Sequence, residues 1–421
     1  MTPLYFSALF IGALLLTTLA RLWLAQRHLA HIATHRDQVP QAFREKVDLT
    51  AHHKAADYTS AKTRFGMWDT LFGAMVLLMF TLGGGIQWIA EFWQATAANP
   101  IAQGMAIIVS VLLLGSLLEV PFSLYRIFVI EARYGFNKMT LALYLADATK
   151  GLLLGAALGL PLLFGVLSLM ERMGGNWWLY VWAVWVVFNL VLLFIYPSFI
   201  APLFNKFLPL QDETLQARIE MLLKKCGFTA QGLFVMDGSR RSAHGNAYFT
   251  GFGKTKRIVF FDTLLSRLSA SEIEAVLAHE LGHFKRHHVL QRIVMTFAIS
   301  LGMLWLLAQL MQAEWFYQGL GVAMPPTTLA TALALMLFFM VLPVFTFLLH
   351  PLMSYYSRKH EFEADEYAAR QSDAQELANA LVKMYQDNAA TLTPDPLYST
   401  FYDSHPPALL RIARLQTLQG D

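Results

Sequence analysis

His279 and His283 stand four residues apart in "VLAHELGHFKRHH" (276–288), with Glu280 directly after the first. On a helix, positions i and i+4 share a face, so both imidazoles can reach one ion, and Glu280 can reach a water beside it. The spacing is the H-E-x-x-H pattern, whose chemistry is zinc-assisted hydrolysis with the glutamate as general base. His287 lies on roughly the same face, but about 12 Å along the axis from His279, too far to serve the same tetrahedral ion. A third ligand must come from elsewhere. The plainer alternative is a surface helix with scattered histidines and a basic end, which needs no metal.

A downstream stretch, "SRKHEFEADEYAAR" (357–370), offers that ligand. Glu361 and Asp365 share a helical face, while Glu363 points well away. One of the pair can ligate zinc while the other accepts the free ring N–H of a ligand histidine.

These residues need a scaffold. Ser269-Ala-Ser-Glu272 reads as a capping box that starts the helix running through His279 and His283. Upstream, Asp212 to Cys226 has helical periodicity, with Cys226 as core filler beside Gly227 at the helix end. "GLFVMD" (232–237) and "RIVFFD" (257–262) read as strands, and "NAYFTGFGKTKR" (246–257) as a strand entering a hairpin through Gly253.

Composition sets the surroundings. The hydrophobic fraction is 56% against 14% charged, too apolar for a soluble enzyme of 421 residues. The single cysteine excludes an intrachain disulfide and a cysteine-built zinc site. No lysine or arginine run of nucleic-acid type occurs, so no nucleic-acid partner is expected.

Seven segments reach the roughly twenty apolar residues that cross a bilayer, beginning near Leu4, Trp68, Ile101, Gly151, Trp177, Val289 and Leu329. The first lacks a basic region before it, so it reads as a retained span rather than a signal peptide. Lys and Arg crowd the first, third and fifth loops and the tail after Leu352. This places the N-terminus outside, and the C-terminus with the zinc site in the cytoplasm. The chain ends without a KDEL-type signal, which favours a bacterial inner membrane over the endoplasmic reticulum. Residues 1–200 then carry spans one to five, 201–288 the insert with H-E-x-x-H, 289–356 spans six and seven, and 357–421 a cytoplasmic C-terminal part. Gly83-Gly84-Gly85 in the second span reads as a packing accommodation rather than a kink. Asp69, Glu119 and Asp147, in or near spans, are either functional or interfacial.

His279-Glu-Leu-Gly-His283 with Glu361-x-x-x-Asp365 on seven spans resembles the integral-membrane gluzincin metalloproteases, and more closely the CAAX prenyl protease 1 family. "ARYGFNKMT" (132–140), "YPSFIAPLFNKFLPL" (196–210), "AHGNAYFTGFGKTKRIVFFDTLL" (243–265) and "SHPPALLRIARL" (404–415) are similar to that family's signatures. The resemblance implies a mainly α fold: a barrel of seven transmembrane helices around a large internal chamber, with a cytoplasmic α+β gluzincin-like domain. It implies one zinc per chain held by His279, His283 and Glu361, with Glu280 as general base and Asp365 orienting a ligand histidine. Asn246, Ala247 and Tyr248 would form an edge strand that binds substrate. His405, heading His-Pro-Pro, and Arg411 would stabilise the oxyanion, although Leu410 stands where the family usually has an acidic residue. The substrate would be a peptide or protein with a lipid-modified C-terminus, met at the bilayer.

Other classes fit less well. A seven-span receptor has no need of H-E-x-x-H plus Glu361, and a transporter predicts paired repeats that an odd set of spans does not show. A membrane-protein quality-control protease is the nearest rival.

Overall fold

A computed structural model describes residues 1–97, 99–229, 232–250, 257–324 and 327–418. The expected hairpin turn at Gly253 lies outside the described residues.

Six of the described helices are long and apolar enough to cross a membrane, and a bent pair makes a seventh span. The spans are α1 (Pro3–His35), α2 (Leu49–Phe80) with α3 (Gly85–Thr96), α4 (Pro100–Tyr125), α5 (Leu141–Arg172), α6 (Trp177–Ile195), α11 (His288–Leu310) and α13 (Thr327–Thr346). Short helices α7 (Ala201–Phe204) and α12 (Glu314–Gln318) follow α6 and α11.

Hydropathy locates where the chain meets lipid, but not where a helix ends. With 33 residues, α1 is about 50 Å long, well beyond a hydrocarbon layer of roughly 30 Å. Likewise α2 starts at Leu49 and α5 at Leu141, each capped by a side chain (Asp48, Thr140) that accepts the orphan amide three residues on. Most basic residues of the expected first loop, Arg21, Arg27, Lys54, Lys62 and Arg64, therefore ride on helical extensions. Arg27, on one of them, pairs with the buried Asp395 at 2.9 Å.

The triple glycine is a break, which corrects the packing reading. Helices α2 and α3 meet there at 44°, and Gly84 caps α3 with φ +77°, a left-handed conformation that favours glycine. The membrane carboxylates are paired: Arg126 lies 3.6 Å from Asp69 and 3.7 Å from Glu119, and Arg241 grips both oxygens of Asp147 at 2.8 and 3.0 Å.

Helices α5 and α6 bury only Leu167, Met170, Trp177 and Val181. Helices so little covered on either face form a wall one helix thick, as a barrel around an internal chamber requires. One apolar core, with Phe10, Ile107, Tyr317 and Leu337, joins the spans, and a separate one, with Ile219, Phe260, Leu281 and Leu415, holds the protease part together.

That second part contains α8 (Glu213–Cys226), α9 (Asp262–Leu265), α10 (Ala270–Lys285), α14 (His350–Gln371), α15 (Ala374–Asp387), α16 (Pro396–Tyr402) and α17 (Ala408–Thr417). Buried Cys226 ends α8 and Gly227 caps it at φ +71°, as expected. Strands β1 (Phe207–Pro209), β2 (Leu233–Met236), β3 (Ala247–Thr250) and β4 (Arg257–Phe261) form one sheet in the order β1-β2-β4-β3. β2 and β4 run parallel; β3 pairs antiparallel with β4 and occupies the edge.

Candidate metal centre

The capping box starts α10 as its residues dictate: the Ser269 hydroxyl accepts from the Glu272 amide, and the Glu272 carboxylate accepts from the Ser269 amide at 2.7 Å. Ala275, Ala278 and Leu281 bury one side of this helix. Gly282 fixes its distance to α14, because a Cβ there would lie 2.9 Å from the Ala364 Cα and 3.0 Å from its carbonyl oxygen. That close approach brings Glu361 and Asp365 up to the two histidines.

One donor atom each from His279, His283 and Glu361 lies within 4.8 Å of the others. The two Nε2 atoms are 3.2 Å apart, and the Glu361 oxygens lie 3.5 Å from His279 Nε2 and 3.3 Å from His283 Nε2. These are close to the edges, about 3.4 Å, of a tetrahedron with ligand bonds of about 2.1 Å to imidazole nitrogen and carboxylate oxygen. Glu361 Oε2 is buried without a hydrogen-bond partner. Two ring nitrogens facing one another beside an unsatisfied carboxylate oxygen fit a divalent metal ion between them.

Each histidine is held from behind. His279 Nδ1 meets Asp365 Oδ1 at 2.8 Å. Burial would lower the pKa of His279, but Asp365 and Glu361 outweigh it and raise it from 6.5 to about 9. His283 Nδ1 meets His288 Nδ1 at 3.0 Å, and His288 Nε2 meets Glu363 Oε2 at 2.9 Å. His288 is buried and stacked on His360, with ring centroids 3.9 Å apart.

Sequence reasoning missed His288 and Glu363. The helix breaks at His287, whose φ of +59° turns the chain before α11 begins, so His288 leaves the periodic face on which histidines were sought. Glu363 does point away from the metal ligands, but towards His288. An imidazole one residue past His287 was the only available signal.

Arg411, expected beside an oxyanion, is buried against the carboxylates of the site. It is 5% exposed; its Nε and Nη2 donate to Asp365 at 2.8 and 2.6 Å, and its Nη1 lies 3.5 Å from Glu361 Oε2. A bidentate guanidinium in that position braces the carboxylate that braces His279. His405 is different: its side chain is 62% exposed, with Nε2 3.4 Å from Glu361 Oε1, on the open side of the site. Glu280 is half-buried, and its carboxylate has no hydrogen bond or ion pair with the described residues.

Asn246 precedes the edge strand, and Ala247 and Tyr248 begin it. The Phe249 ring lies 5.2 Å from that of Phe284, the residue after His283, so this edge runs beside the metal helix. A cavity of about 710 Å³ reaches from His244 and His405 to the α1 and α2 residues Arg21 and Lys62.

Residues 28–206 match the family model described as CAAX prenyl protease N-terminal, five membrane helices, and residues 209–419 match peptidase family M48. The chain is 32% identical to CAAX prenyl protease 1 of Saccharomyces cerevisiae over 90% of this chain and 88% of that one. It is 33% identical to the CAAX prenyl protease 1 homolog of Caenorhabditis elegans over 90% and 91% of the two chains. The crystal structure of S. mikatae Ste24p superposes with a TM-score of 0.88 at 30% identity, covering 98% of both chains. A paired-histidine metal centre on α10, a multi-pass helical scaffold and these likenesses agree: the chain belongs to peptidase family M48, in its CAAX prenyl protease 1 branch, and is a multi-pass integral-membrane metalloendopeptidase.

Proposed function

We propose that this enzyme is a zinc endopeptidase that removes the last residues from lipid-modified protein C-termini at the cytoplasmic face of its membrane. The observation that carries the reading is the three-donor cluster of His279, His283 and Glu361, with Glu280, unpaired among the described residues, following His279. Two nitrogens and one oxygen at tetrahedral spacing suit one zinc ion per chain. Zinc, when bound, supplies a Lewis acid that polarises the scissile carbonyl and makes the attacking water more acidic.

The protein's own groups do the rest. Glu280 takes the proton of the attacking water and delivers it to the leaving amine as the C–N bond breaks. His405, exposed beside Glu361, donates to the carbonyl oxygen as negative charge gathers there. Asp365 and Arg411 hold His279 in one ring orientation. The unpaired edge of β3 takes the peptide by backbone hydrogen bonds.

The charge bias of the loops supports a cytoplasmic C-terminus and metal site. That orientation faces the cytoplasm in a bacterial inner membrane and equally in the endoplasmic reticulum. The lipid-modified tail is carried over from the names of the relatives and from a site built where spans and protease part meet. Mass spectrometry of a farnesylated CAAX peptide incubated with the purified protein tests the reading. Release of the terminal tripeptide by wild type and not by Glu280→Gln is expected; an intact peptide with zinc-loaded wild type would remove the proposal.

A further inference from the structure

Arg21 projects from the first span and makes no hydrogen bond or ion pair with any described residue; its Nε is buried and has no partner. Its guanidinium lies over the Phe347 ring, 4.5 Å from the centroid, which fixes its direction and leaves its donors free. A buried guanidinium donor with no acceptor beside it is costly unless a ligand supplies one.

The cavity that Arg21 lines reaches the neighbourhood of the candidate metal centre through one residue. His405 belongs to both, since it lines the cavity and its Nε2 lies 3.4 Å from Glu361 Oε1. The volume, about 710 Å³, is that of a pocket enclosing a small ligand. Arg21 and Lys62 are the cations of its lining and Asp403 the one acid among the described residues, so it favours an anion.

Strand direction says which part of a peptide enters. A peptide added antiparallel to β3 runs from the Thr250 end towards Ala247, so its C-terminal residues leave the edge near Asn246. His244, two residues before Asn246, lines the cavity.

We infer that this cavity receives the residues C-terminal to the scissile bond, and that Arg21 binds the free carboxylate at the end of the substrate. The inference rests on the peptidase reading above and adds to it a selector for chain ends. A guanidinium suits the task because its planar fork meets both carboxylate oxygens at once. A segment that continues past the cavity presents a neutral peptide group instead, and leaves Arg21 unpaired.

The test uses two farnesylated CAAX peptides that differ only in ending as an acid or as a primary amide. Both are cleaved by zinc-loaded, full-length wild type and by Arg21→Gln, Arg21→Lys and Lys62→Gln. Wild type is expected to favour the acid by about tenfold or more in kcat/KM, the usual size of a lost charged hydrogen bond. Most of that difference falls in KM, because the contact is remote from the reacting bond. The ratio falls towards one in Arg21→Gln, lies between in Arg21→Lys, and survives in Lys62→Gln. Equal cleavage of both peptides by wild type, or an acid preference that persists in Arg21→Gln, overturns the carboxylate site and leaves the peptidase reading intact. Cleavage of neither peptide removes both.

Discussion

His283 Nδ1 and His288 Nδ1 face each other at 3.0 Å across the helix break at His287. Only one of two facing ring nitrogens can carry the proton. If His283 keeps its Nε2 lone pair for the metal, its Nδ1 is protonated and donates to His288. His288 must then carry its own proton on Nε2, where Glu363 Oε2 accepts it at 2.9 Å. One metal bond thus sets the tautomers of two rings.

Removing this support should loosen the metal without removing a ligand. His288→Ala is expected to lower zinc affinity about 10- to 100-fold, with Glu363→Gln moving the same way. Zinc transfer to a chromophoric chelator reads the effect directly. Unchanged transfer rates in both variants would show that His283 needs no partner.

Metal content and catalysis should separate at two glutamates. Glu280→Gln keeps its zinc but loses the proton acceptor, so cleavage falls at least about a hundredfold. Glu361→Gln replaces an anionic ligand with a weak neutral one, and zinc and activity fall together. Elemental analysis paired with peptide cleavage checks this, and wild-type turnover by Glu280→Gln would sink the mechanism.

Gly282 allows α10 and α14 to approach each other, so Gly282→Ala must push them apart. A methyl 2.9 Å from the Ala364 backbone is expected to destabilise the protease part by about 1–3 kcal/mol and to reduce bound zinc. Thermal unfolding with and without added zinc measures both effects. A variant with unchanged Tm and full zinc content refutes the packing argument.

Orientation is tested from outside the site. A reporter that works only in the cytoplasm should be active when fused after Asp421, and silent when inserted between Ala313 and Pro326. The reverse pattern would put the metal centre on the other side of the membrane.

The side chains of the candidate site were legible because each pair lies on one helix: a spacing of four marks His279 with His283, and again Glu361 with Asp365. The capping box at Ser269 and the strands around Phe234 and Phe260 were equally local. Contacts between distant segments were not. Arg411 reaches Asp365, Arg241 reaches Asp147, and Arg126 reaches Asp69, and no periodicity within one element encodes such pairs. The bend at Gly84 was hidden for another reason: an apolar run reads the same whether its helix is straight or broken.

The carboxylates of the site stand on a helix that leads straight out of the last span, from Leu329 to Gln371. A helix is a screw, in which each residue advances the thread about 1.5 Å and turns it about 100°. One residue inserted between Met353 and His360 would swing Glu361 and Asp365 a quarter turn or more from the histidines. Seven would restore their heading but displace them by about 10 Å. Immersion depth and chemical alignment are therefore geared together, and this stretch can lengthen or shorten over evolution only in near-whole turns, with α10 shifting in step.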